Sequence, residues 1–71
     1  MTFEWVENFT IRTGMGNSEF LISANKEGLL SLANHLIKLA NDEFHPGCHF
    51  HLDNHNSLEE NSIPLIVEKL G

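Results

Sequence analysis

Apolar and polar residues alternate along the first third of the chain. In "FEWVENFTIR", residues 3–12, the apolar side chains fall mostly at every second position (Phe3, Trp5, Phe9 and Ile11). A period of two is typical of a strand with one buried face. "EFLISA", residues 19–24, alternates again after the glycine-rich "TGMGNS". The pattern therefore predicts two antiparallel strands joined by a tight turn.

The period then changes to that of a helix. Asn25 is a suitable N-cap, and Glu27 places a negative charge in the first turn, where the helix dipole favours it. Apolar residues follow at helical spacing on one side: Leu29, Leu32, Ala33, Leu36 and Ala40. The other side carries Ser31, Asn34, Lys38 and Asn41, and His35 lies at the boundary. We predict a helix from about residue 26 to 42, ended before Pro46.

A second alternating segment, "CHFHLD" at residues 48–53, predicts a third strand. Its apolar side chains (Cys48, Phe50 and Leu52) should face the helix, and its polar ones (His49, His51 and Asp53) should face away. After the polar loop "NHNSLEENS", the aliphatic "IPLIVEKL" predicts a last strand, with Pro64 near its start.

These elements predict one α+β domain over residues 1–71, in the order β-β-α-β-β. We expect a four-stranded, mainly antiparallel sheet with one helix on one face. The other face then stays open and offers a mixed surface for a partner. A chain of this length buries a small core, so we also predict a homodimer.

Charge narrows the range of partners. The chain carries a net charge of -6, which repels phosphate backbones and anionic lipids and favours basic proteins. We therefore predict no nucleic-acid or membrane partner, and no apolar run approaches the roughly 20 residues of a membrane span. The single cysteine cannot form an intramolecular disulfide, and "MTFEWVEN" does not have the pattern of a secretion signal. We predict a cytoplasmic location.

Four of the five histidines lie between residues 45 and 56, which raises the question of a metal site. A metal-binding or metal-responsive function would use His45, His49, His51 and His55. Zinc needs three or four converging ligands, but Asp53 lies too far along an extended strand from His49, and Cys48 points to the opposite face. We predict no catalytic residues and no cofactor, because no nucleophile, base and orienting group fall together.

The segment "HFHLDNHNSLEENSIPLIVEK", preceded by "GLLSLANHLIKLAN" and "PGCH", resembles the bacterial immunity protein 32 family. The resemblance covers about two thirds of the chain, from Gly28 to Lys69. It implies a non-enzymatic protein that neutralises a toxin of a polymorphic toxin system. We predict that the toxin binds the acidic loop 53–60 and the open sheet face, through Asp53, Asn56, Glu59, Glu60, His49 and His51. The metal function stays open as the alternative.

Overall fold

A computed structural model describes residues 4–71 of the chain. It contains one helix and four strands: β1 (Ile11–Gly16), β2 (Glu19–Ala24), α1 (Lys26–Leu39), β3 (His49–Leu52) and β4 (Leu65–Glu68). The predicted α+β class and the order β-β-α-β-β are confirmed.

Strand β2 lies where it was predicted, but β1 is displaced toward the C-terminus relative to the prediction. Residues 4–10 are not a strand, and a turn at Glu7 and Asn8, with Asn8 at a φ of 69°, interrupts the chain there. Phe3, which contributed to the predicted pattern, lies outside the described residues. The turn itself consists of Asn17 and Ser18, both at positive φ, between the paired residues Gly16 and Glu19. Two central residues at positive φ match the right-handed twist of a hairpin, so the glycines of "TGMGNS" end up in β1 instead.

The predicted four-stranded sheet is wrong. The strands form two separate two-stranded antiparallel sheets, β1 with β2 and β3 with β4. The segment before β4 does approach β1, where Glu59 N–H donates to the Ile11 carbonyl at 2.9 Å and Ile63 N–H donates to the Thr13 carbonyl at 3.4 Å. A continuous ladder does not form, because the hydroxyl of Ser62 takes the Thr13 N–H and Pro64 has no N–H to donate.

Helix α1 begins as predicted and ends earlier. The Asn25 side chain accepts a hydrogen bond from Gly28 N–H at 2.7 Å, which confirms Asn25 as the N-cap. The helix ends at Leu39, with Ala40 as the C-cap, rather than near residue 42. The chain then turns through residues 40–44 toward β3.

The helix buries a different side from the one its apolar pattern indicates. Its buried residues are Gly28, Ser31, His35 and Leu39. Gly28 explains this orientation, because a Cβ there would lie 2.3 Å from the backbone oxygen of Thr10. Only glycine permits such a close approach between the helix and the segment before β1.

Ser31 is buried without an unpaired polar atom. Its hydroxyl accepts a hydrogen bond from Val6 N–H at 2.7 Å and donates to the Glu27 carbonyl at 2.8 Å. A hydroxyl that keeps its hydrogen bonds costs little to bury. The serine thus ties the N-terminal segment to the helix.

The core lies between α1 and the inner faces of both hairpins. Its buried apolar members come from β1, α1, β3 and the loop before β4: Ile11, Leu39, Phe50, Leu52 and Leu58. Leu65 and Val67 of β4 pack against this cluster from the second sheet. β2 adds only the partly buried Ala24, so one small core joins the other elements to the loop that contains Leu58.

Candidate partner-binding surface

Strand β3 separates the core from a candidate binding surface. Phe50 and Leu52 are buried, and Cys48, just before the strand, packs partly buried against the same core. His49 and His51 alternate with them and are exposed. The face assignment made from "CHFHLD" is confirmed, and Phe50 meets the helix through the ring of His35 at a centroid distance of 5.3 Å.

The pairing register of β3 with β4 shows which residues of β4 share the exposed face of the second sheet. His49 pairs with Glu68, and His51 pairs with Ile66. Paired residues of antiparallel strands lie on the same face, and all four of these are exposed. We call His49, His51, Ile66 and Glu68 the outer sheet face. Sequence reasoning missed Ile66 and Glu68, because only the pairing of β4 with β3 shows which of its two rows faces outward.

Asp53 and Asn56 shape the loop that follows β3. The Asp53 carbonyl accepts hydrogen bonds from Ser57 N–H at 3.0 Å and Leu58 N–H at 2.8 Å, and its carboxylate accepts one from His55 N–H at 2.9 Å. The Asn56 amide accepts from Asp53 N–H at 3.0 Å and donates to the His51 carbonyl at 3.1 Å. Short polar side chains that bond nearby backbone groups in this way stabilise turns. The two residues are therefore engaged in holding the loop.

Leu58 anchors the far end of the same loop. It is buried in the core, and the next residue, Glu59, donates its N–H to Ile11. Glu59 and Glu60 themselves are exposed. The backbone beneath them is thus fixed from both sides, while their carboxylates are free to reach into solvent.

His51 links the loop to the outer sheet face. Its Nε2 lies 3.8 Å from a carboxylate oxygen of Asp53, and the side chains are 47% and 22% exposed, respectively. A contact this long and this exposed contributes little to stability. It does place three of the predicted site residues, His51, Asp53 and Asn56, next to one another, whereas Glu59 and Glu60 follow the buried Leu58.

The structure does not assemble the alternative metal set. Among residues 4–71, no group of three or more His, Cys, Asp or Glu side chains is placed to hold a metal ion. His45, His49, His51 and His55 are all exposed. A metal site would need their donor atoms to converge.

His35 belongs to the core and not to the candidate surface. It is 1% exposed, and its Nδ1 lies 2.7 Å from the Ser31 carbonyl, so this nitrogen carries the proton. Its ring packs against Trp5 at a centroid distance of 4.2 Å and against Phe50 at 5.3 Å. Burial lowers the pKa of His35, as does the nearby Lys38 charge, against the opposing effect of the Ser31 hydrogen bond. The sequence placed His35 at the boundary between the apolar and polar sides of the helix, and this prediction is wrong.

In the part of the chain that the structure describes, no helix has the length and apolar character to cross a bilayer.

The acidic chain thus combines an α+β fold with an exposed, mixed sheet face and an acidic loop that Leu58 and backbone hydrogen bonds hold in place. The chain belongs to the immunity protein 32 family, whose model matches residues 19–70. The match confirms the resemblance noted from Gly28 to Lys69 and extends it over β2. Neither the curated proteins nor the solved structures gave a match.

Proposed function

We propose that this chain is a non-enzymatic immunity protein that binds and neutralises a bacterial protein toxin in the cytoplasm. Its membership of the immunity protein 32 family carries this proposal. Cytoplasmic action agrees with the lone Cys48, since the thiol stays reduced in that compartment. We take the product of a neighbouring toxin-like gene as the partner to be tested.

The acidic loop is the first part of the proposed interface. Glu59 and Glu60 are exposed on backbone that Leu58 and the hydrogen bond to Ile11 hold in place. Carboxylates on a rigid loop lose little conformational freedom when they meet a cation. With a net charge of -6, the chain attracts a basic surface over some distance before contact.

The outer sheet face is the second part. It contains one exposed apolar residue, Ile66, and the polar side chains of His49, His51 and Glu68. An apolar centre with a polar rim is the usual composition of a protein interface. Asp53 and Asn56 connect this face to the loop and act as positioning residues in the proposed site.

A charge-matched pair of variants tests the role of the loop. Glu59→Gln with Glu60→Gln removes two carboxylates from the proposed interface, and Glu4→Gln with Glu7→Gln removes two exposed carboxylates from the N-terminal segment. Both variants carry the same net charge. We expect the loop variant to lose protection in cells that express the neighbouring toxin, and to associate at least tenfold more slowly at low salt.

The N-terminal variant should protect like the wild-type chain. The rate difference should shrink as salt rises, because screening weakens attraction between exposed charges. Equal protection by both variants, with both stably folded, would exclude the loop as the binding site. Failure of the wild-type chain to bind or protect against the neighbouring toxin would contradict the proposed function itself.

A further inference from the structure

Helix α1 has a second apolar side that points to solvent. Because Gly28, Ser31 and His35 face inward, four large apolar side chains are left exposed on the opposite side: Leu29 at 55%, Leu30 at 46%, Leu36 at 45% and Ile37 at 72%. Ala33 lies between them. At 100° per residue, these five residues occupy about a third of the helix circumference. We call them the outer helix face.

Exposed apolar side chains on one contiguous face mark an interaction surface. We propose that the outer helix face forms a homodimer, in which α1 of two copies packs antiparallel about a two-fold axis at Ala33. The inference does not depend on toxin binding. It assigns the homodimer, which was predicted only from the short chain and its small core, to a defined surface.

The order of residues along the face is self-complementary under this symmetry. With Ala33 opposite its own copy, Leu29 lies opposite Ile37 of the second copy, and Leu30 lies opposite Leu36. The smallest side chain of the face therefore falls at the crossing point, where the two helix axes come closest. Large side chains pack against large ones on both sides of it, and a two-fold interface requires such reciprocal pairs.

The charges at the two ends of the helix favour the same arrangement. Lys26 points to the same side as the outer helix face and lies in the first turn of α1, where the helix dipole disfavours a cation. Asp42 and Glu43 follow the C-terminus, where the dipole disfavours anions. In residues 4–71, none of these three side chains takes part in an ion pair within the chain.

Antiparallel pairing brings these charges together. Lys26 of one copy lies level with Ala40, the C-cap of the other, and Asp42 and Glu43 belong to the turn that directly follows this helix end. Each lysine then meets the carboxylates and the negative helix end of its neighbour. A parallel pair would instead place the two lysines together.

The size of the outer helix face determines how tightly we expect the homodimer to associate. A helix of 14 residues is about 21 Å long, so the contact is smaller than the roughly 800 Å² per partner of a standard interface. The two copies also repel each other through a charge of -6 each. We therefore expect a dimer that dissociates at micromolar concentrations.

Sedimentation equilibrium measures the mass as a function of concentration. We expect 8.0 kDa at low concentration and twice that mass at about 500 μM. Ile37→Lys should weaken the dimer at least tenfold, because it places two lysines within the contact. Ile66→Lys is the matched control, since Ile66 is exposed to a similar extent, 61%, on the outer sheet face. It should leave the dissociation constant within about twofold of the wild-type value.

A charge exchange tests the antiparallel arrangement. Lys26→Glu alone and Asp42→Lys with Glu43→Lys alone should each weaken the homodimer, because like charges then meet at both ends. A mixture of the two variants should form a heterodimer with wild-type affinity, since opposite charges meet again at each end. A wild-type mass of 8.0 kDa at every concentration would overturn the dimer. If the dimer persists in Ile37→Lys, the proposed interface is wrong. If the mixture of charge-exchanged variants does not form a heterodimer, the antiparallel arrangement is wrong.

Discussion

Strand β3 and helix α1 are both amphipathic, yet their sequence patterns led to opposite results. The alternation in β3 placed Phe50 and Leu52 in the core, and the structure buries both. The apolar stripe of α1 indicated that Leu29 and Leu36 face inward, and the structure exposes both. The helix instead buries Ser31 and His35.

The difference follows from the number of orientations available to each element. A strand has two faces, and only one face of β3 is apolar, so a wrong choice would bury two histidines. A helix can rotate about its axis in small steps, and α1 has apolar residues over about half of its circumference. Close approach at Gly28 and hydrogen bonds at Ser31 then select the buried side.

The largest effect is expected at the inner face of the strand. Phe50→Ala should lower the free energy of unfolding by about 3 to 5 kcal/mol, because it leaves a cavity in the core beside His35. His51→Ala, on the exposed face of the same strand, should cost less than about 1 kcal/mol. Urea titrations of both variants measure the two values. Equal losses would contradict the face assignment of β3.

The same test applies to the two sides of the helix. Leu39→Ala should cost about 2 to 5 kcal/mol, since Leu39 is buried in the core. Leu36→Ala should cost less than about 1 kcal/mol when the chain is dilute enough to be monomeric. Chemical denaturation at low micromolar concentration compares them. A larger loss at Leu36 than at Leu39 would mean that the helix presents its apolar stripe to the core after all.

Gly28→Ala tests the contact that orients the helix. Alanine favours helices by about 1 kcal/mol over glycine, so in an open helix the change would stabilise the chain. Here the new Cβ meets the Thr10 backbone oxygen, and we expect a net loss of about 1 to 3 kcal/mol from the forced displacement. Thermal melts of the wild-type chain and of Gly28→Ala show whether the substitution lowers or raises the melting temperature. A rise in melting temperature would show that the helix can move away from Thr10 without cost.

The smallest effect concerns pH. Burial lowers the pKa of His35 in the folded chain, so below about 6.5, the ordinary histidine value, the unfolded chain binds a proton that the folded chain does not. The free energy of unfolding should therefore be highest above that pH, and it should fall as the pH drops toward the lowered pKa of His35. His35→Phe keeps an aromatic ring between Trp5 and Phe50 but removes the titration. Melts between about pH 7 and 5 should show a steeper loss for the wild-type chain. An equal pH dependence of the melting temperature in the wild-type chain and in His35→Phe would contradict a lowered pKa of His35.

The candidate site was predictable only in part. Its exposed histidines and the loop carboxylates followed from the strand period and from local polarity, and the family match covers all of them. The structural roles of Asp53 and Asn56 did not follow, because they depend on hydrogen bonds within a folded loop. Ile66 and Glu68 joined the outer sheet face only through the pairing of β4 with β3.

The sequence by itself determined the order of the elements, the Asn25 cap, the inner face of β3, the acidic charge and the resemblance to the family. These depend on residue type and on neighbours within a few positions. The tertiary structure decided how the helix is rotated, why two small sheets form instead of one, and which apolar side chains stay exposed. Those outcomes depend on contacts between residues far apart in the chain, such as Thr10 with Gly28, Val6 with Ser31, and β1 with the segment that ends at Pro64. No local period encodes them, because each requires two segments to compete for the same space or the same hydrogen bond.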